Sequence, residues 1–144
     1  MGTKVLPHLV SDAANGQPSG CRLRCRQNAL SRGHCLIFSG GTGNPFFTTD
    51  TTAILRALQI EASEVWKGTN IDNIYDADPK KNPQAKPMHH ISYQQALNSK
   101  LGIMDATAFA LAENHNLKIR VFNIFHENAL ITASTDENFG STVE

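Results

Sequence analysis

The stretch Cys35-Leu36-Ile37-Phe38-Ser39-Gly40-Gly41-Thr42-Gly43-Asn44-Pro45-Phe46-Phe47-Thr48-Thr49-Asp50 decides how this chain folds. Its first four residues form a short apolar run that stops at a glycine cluster, the pattern of a buried strand. Gly40, Gly41 and Gly43 let the backbone bend sharply and expose its N–H groups. Thr48 to Thr52 is dense in cap residues. Ile54, Leu58 and Ala62 then recur at i, i+4 and i+8, with Ala57 beside them. That spacing predicts an amphipathic helix starting near Asp50. Glu64-Val65-Trp66-Lys67 reads as the next strand. Strand, helix and strand in this length predict a βαβ unit with parallel strands and a right-handed crossover.

Beyond this unit, Asn70 to Pro87 is a long polar loop with three prolines, Pro79, Pro83 and Pro87. Ser92-Tyr93-Gln94-Gln95 has the form of a capping box opening a short helix through Leu97. Asp105 can cap a helix from Ala106 to about Asn116, with Phe109, Ala110 and Leu117 on one face. Lys118 to Ile124 is the clearest strand. A short helix over Glu127 to Thr132 and a closing edge strand Ser141-Thr142-Val143 follow. Residues 1–27 differ from the rest. Gly, Pro, Ser and Asn are frequent there, and no period of 2 or 3.6 persists, so a flexible N-terminal segment is expected.

Composition excludes some partners. Thirteen basic and thirteen acidic side chains cancel, so no net field draws in nucleic acid or an anionic membrane. No apolar run approaches the roughly 20 residues needed to span a bilayer, and the N-terminal residues lack a signal-peptide core. Cys21, Cys25 and Cys35 are an odd number, best read as free thiols in a reducing cytoplasm. With His34 they do not match a zinc spacing. Asp72, Asp76 and Asp78 alternate but lack the Gly and Glu positions of a calcium loop. His89-His90 reads as exposed loop.

In a parallel sheet, loops leaving strand C-termini share one edge with the N-termini of the helices that follow, and ligands bind there. The glycine loop, Thr69 and Asp105 all fall on that edge. Glycine amides, the hydroxyls of Thr42, Thr48 and Thr49, and a helix N-terminus are the parts of a phosphate pocket. The loop is not a Walker A motif, because no Gly-Lys-Ser/Thr follows, and a tight turn would use the same glycines. Asp50 fits either a helix cap or a charge-positioning role. Tyr75 fits either base stacking or packing. Phe46 and Phe47 read as core residues.

Gly41-Thr42-Gly43-Asn44-Pro45-Phe46-Phe47-Thr48-Thr49-Asp50 resembles the signature of bacterial uridylate (UMP) kinases, within the amino acid kinase superfamily. Thr69-Asn70-Ile71-Asp72-Asn73-Ile74-Tyr75-Asp76-Ala77-Asp78-Pro79 is similar to that family's adenine-site loop. Met104-Asp105-Ala106-Thr107-Ala108 and Ile119-Arg120-Val121-Phe122-Asn123 also fit. The resemblance covers residues 28–144, which it marks as the C-terminal nucleotide-binding lobe of an amino acid kinase-like domain.

The resemblance implies a three-layer α/β/α sandwich around a mostly parallel sheet, assembled as a homohexamer in the cytoplasm. It implies transfer of the ATP γ-phosphoryl group to UMP with Mg²⁺, giving UDP and ADP. Carried over, Thr42, Gly43, Asn44, Pro45, Phe46, Phe47, Thr48 and Thr49 bind UMP. Thr69, Tyr75 and Asp78 hold ATP, and Asp50 and Asp105 lie near the transferred phosphoryl, positioning lysine or Mg²⁺. The family's first half also supplies a lysine and a Gly-Gly loop. Residues 1–27 are too short to hold them, and Lys4 lacks their strand-plus-glycine context. This chain alone is therefore expected to have little or no kinase activity. The competing readings are a non-catalytic nucleotide-binding or oligomerisation fragment, and another superfamily kinase acting on a carboxylate or carbamate. The Asn44-Pro45-Phe46-Phe47-Thr48-Thr49 run argues against the last.

Overall fold

A computed structural model describes residues 4–5, 10–11, 26–77, 82–98 and 103–144. The strands are β1 (Lys4–Val5), β2 (Val10–Ser11), β3 (Phe38–Ser39), β4 (Glu64–Thr69), β5 (Ile74–Tyr75), β6 (Pro87–Met88), β7 (His90–Ile91), β8 (Lys118–Asn123) and β9 (Ser141–Val143). Residues 26–31 are helical (α1). The other helices are α2 (Thr49–Gln59), α3 (Tyr93–Asn98), α4 (Ala106–Asn114) and α5 (Ala129–Thr135).

The central sheet runs β1-β4-β8-β9-β7. Its β1–β4, β4–β8 and β7–β9 pairs are parallel, and β8–β9 is antiparallel. Alternation along the strands divides the core between the two faces. Val65, Ile119, Val121 and Val143 pack with Ala53, Ile54 and Ala57 of α2, Ala96 of α3, and Ala108, Phe109 and Ala112 of α4. Trp66 and Phe122 point the other way and pack with Ala129 and Ala133 of α5. Helices therefore cover both faces, the expected α/β/α arrangement with a mostly parallel sheet. Alanine recurs on the covering helices because a small side chain lets a helix approach the sheet closely.

Several expectations are corrected. The strand at 35–38 is shorter and shifted, and β3 hydrogen-bonds β2, not β4. The parallel neighbours of β4 are β1 and β8. The stretch 1–27, expected to be irregular, contributes both β1 and β2. On α4, Ala110 is exposed while Ala108 and Ala112, one turn apart, face the sheet. β9 is no edge strand: it lies between β8 and β7, and all three of its residues are buried. The edge is β7, in a segment read as loop, where amides of Thr142 and Glu144 donate to carbonyls of His89 and Ile91. The long polar loop contains an antiparallel pair, β5 with β6.

Candidate functional site

The glycine loop leaves β3 and reaches α2 by a path only left-handed backbone can follow. Gly40 (φ 89°), Gly41 (φ 65°) and Gly43 (φ 77°) all occupy that region. Among the described residues, the amides of Gly41 and Gly43 find no acceptor within the protein. Phe46 is also left-handed, at φ 69°. A side chain there costs about 1–2 kcal/mol. Phe46 is fully exposed and Phe47 half-exposed, so the reading of these rings as core is overturned. Strained backbone that carries an unburied aromatic ring is the kind of feature that collects at functional sites.

At the loop's end, Thr48 caps α2. Its hydroxyl accepts from the amides of Asp50 (3.2 Å) and Thr51 (3.3 Å). Asp50 is therefore not the cap. Its carboxylate instead takes Lys67 Nζ at 2.8 and 2.7 Å. Lys67 also donates to the Ile103 carbonyl. The ion pair is only partly exposed, at 18% for Lys67 and 20% for Asp50.

Asp105 joins two helix N-termini. It caps α4 by accepting from the Ala108 amide at 2.8 Å. It also accepts from the hydroxyls of Thr48 and Thr51, the latter at 3.0 and 3.2 Å. Partial burial alone would raise its pKa. The bonds from Thr48, Ala108, Thr51 and Thr107 outweigh it and hold the carboxyl below its ordinary value. An ionised Asp105 thus locks the start of α2 to the start of α4, and two positive dipole ends converge beside the open glycine amides.

Open loop amides, paired helix N-termini and a threonine-aspartate lock thus meet at one edge of the sheet. The Amino acid kinase family profile matches residues 10–123. The chain belongs to the amino acid kinase family. It is 50% identical over 115 residues to the uridylate kinase of Psychromonas ingrahamii, covering 80% of this chain and 46% of that protein. With the uridylate kinase of Thermotoga maritima it shares 46% over 117 residues, 81% of this chain and 51% of the other. It thus spans about half the length of these relatives. The UMP kinase structure from Ureaplasma parvum superposes with a TM-score of 0.80 at 34% identity, over 98% of this chain and 59% of that one. The Bacillus anthracis UMP kinase gives 0.82 at 27% identity, over 98% and 57%.

In this amino acid kinase chain, Thr69 closes β4. Its hydroxyl accepts from the Ile71 amide at 2.9 Å, and its carbonyl accepts from the Ile124 amide at 2.9 Å. Tyr75 lies in β5, half-buried, and Asp78 lies outside the described residues. Asp72 accepts from Asn123 Nδ2 (2.9 Å) and His126 Nε2 (2.8 Å), tying the loop after β4 to the end of β8. Cys35 is exposed and free, while Cys21 and Cys25 lie outside the described residues. Among the described residues no group of three metal-ligating side chains comes together, and no helix is long and apolar enough to cross a membrane. Lys4, expected to lack a strand-plus-glycine context, lies in β1, and the first glycine after it is Gly16.

Sequence reasoning missed three residues. Lys67 looked like an ordinary strand position. Thr51 was one threonine of a run. Arg56, on the helix, donates to the Gly41 carbonyl at 3.2 Å. A lysine directly after the apolar pair Val65-Trp66 in a central strand was the one available signal for Lys67, because a charge there needs a partner.

Proposed function

We propose that this chain is the nucleotide-binding lobe of a UMP kinase. A UMP phosphate oxygen attacks the γ-phosphorus of ATP, the bond to the β–γ bridging oxygen breaks, and UDP and ADP leave. The acceptor oxygen is already ionised, so no general base is needed. The protein's task is alignment and charge compensation. The observation carrying this reading is the open pair of glycine amides beside two linked helix N-termini.

In this reading Thr42 to Thr49 holds UMP, and the loop from Thr69 through Tyr75 and Asp78 holds ATP. Asp105 positions both helix starts and Asp50 positions a lysine. Every oxygen of Asp50 and Asp105 already accepts a hydrogen bond. Each Asp50 oxygen accepts from Lys67 alone and keeps a further lone pair, so Asp50 could also help hold a magnesium ion. The remaining ligands of such an ion would be nucleotide phosphates and water. The enzyme works in the cytoplasm as a homo-oligomer, a hexamer by family resemblance.

Calorimetry with UMP and a coupled ADP-release assay test the proposal together. The expected result is saturable UMP binding with turnover far below that of a full-length relative, of whose length this chain spans about half. Absence of UMP binding overturns the reading. Turnover equal to a full-length relative overturns the expected inactivity.

A further inference from the structure

We infer that Phe125 is the residue on which the purine base of ATP stacks, and that it favours a purine over a pyrimidine there. The inference deepens the reading above, in which the loop from Thr69 holds ATP, and rests on it. Thr69 ends β4, Asn123 ends β8, and the two are register partners in the sheet. Phe125 therefore lies two residues past a strand end, on the edge where the nucleotide loops gather.

The residues around Phe125 fix its turn to the loop after β4. The Ile124 amide donates to the Thr69 carbonyl at 2.9 Å, and the Phe125 amide to Asn123 Oδ1 at 3.0 Å. Asp72 accepts from Asn123 Nδ2 and His126 Nε2. His126 also packs edge-on against Phe139, with ring centroids 5.9 Å apart, and Phe139 packs on the buried Trp66 and Phe122 cluster. The usual order of burial is inverted here. An imidazole covers the apolar cluster, while the phenyl ring beside it stands 80% exposed. Ile71, on the tied loop, is 40% exposed as well. A lone exposed apolar side chain needs no explanation. A turn bonded on both sides of a bare ring, next to an apolar cluster that the ring does not join, does need one. What the ring lacks is a flat apolar face to cover it. A nucleobase supplies that face, and two fused rings cover a phenyl ring more fully than one.

The 144-residue chain, isotopically labelled, would be titrated with ATP, CTP, UMP and inorganic tripolyphosphate. Amides 42–49 and 69–76 and the Phe125 ring are followed by nuclear magnetic resonance. In the wild type, ATP moves the ring signals together with amides 69–76, and tripolyphosphate leaves the ring still. Phe125→Ala, a change at an exposed position, weakens ATP about tenfold, weakens CTP less and leaves tripolyphosphate unchanged. Phe125→Tyr keeps the wild-type affinity for ATP, and Phe125→Leu does not. Equal weakening of ATP and tripolyphosphate means that the ring only props its turn, and overturns the inference. So does equal weakening of ATP and CTP, full recovery by Phe125→Leu, or a ring that stays still while amides 69–76 respond to ATP. ATP binding at Phe125 with no response of amides 42–49 to UMP keeps the inference and sinks the UMP reading. A UMP response at 42–49 with no ATP response at 69–76 sinks the inference and leaves the UMP site standing. No response to either nucleotide sinks both.

Discussion

One carboxylate, Asp105, carries more of the site than any other side chain. Its oxygens accept from an amide of its own helix and from two hydroxyls of another. Asp105→Ala removes a cap and leaves two threonine hydroxyls without their acceptor, so a loss of about 2 kcal/mol is expected. Urea denaturation would measure it. Asp105→Asn gives a pH test. The folded-state pKa of Asp105 lies below its ordinary value. Its ionised-form contribution is present above the ordinary carboxylate range and is lost as pH falls through the lowered pKa. Wild type should therefore outlast Asp105→Asn at neutral pH by a margin that shrinks in acid. A margin that grows below about pH 4 would contradict the assignment.

Each element holds its place through a few identifiable contacts. Helix α3 opens with a reciprocal capping box, in which Ser92 Oγ accepts from the Gln95 amide and Gln95 Oε1 accepts from the Ser92 amide. Its first residue, Tyr93, donates its hydroxyl to the Leu117 carbonyl at 2.6 Å, pinning α3 to the start of β8. Burial, then the charges of Glu144 and Glu113, push the Tyr93 pKa up to about 12 from 10.0. The contribution is full below pH 10 and is lost between 10 and 12, as the unfolded tyrosine ionises first. Tyr93→Phe should cost about 1 kcal/mol at neutral pH, with the gap to wild type closing in that alkaline window. Gly140 sets the entry to β9. At φ +88°, an added Cβ would lie 2.3 Å from the Val121 carbonyl oxygen and 2.8 Å from Phe122 Cβ. Gly140→Ala should lose about 3 kcal/mol or more, seen as a lower melting temperature. A melting temperature equal to wild type would refute that close approach.

At the scale of the whole molecule, two helical layers enclose a sheet whose loops and helix starts meet at one edge. Much of this could be read from the residues. The glycine spacing, the threonine-rich cap region and Asp105 marked the edge, and the 3.6-residue period marked α2. What escaped were features set by distant partners. β7 is two residues long and forms only because β9 lies beside it. β1 and β2 carry no period of their own and exist through pairing with β4 and β3. The role of Asp50 could not be separated from capping until Lys67, seventeen residues on, was seen to hold it. Phe46 and Phe47 were misjudged because an apolar residue in a strained loop looks the same in sequence as one in a core. The decisive measurement is a crystal structure of this chain grown with UMP. The account predicts the phosphate within about 3 Å of the Gly41 and Gly43 amides, beside the start of α2. A structure with those amides bonded to neighbouring chain and UMP elsewhere or absent would contradict it.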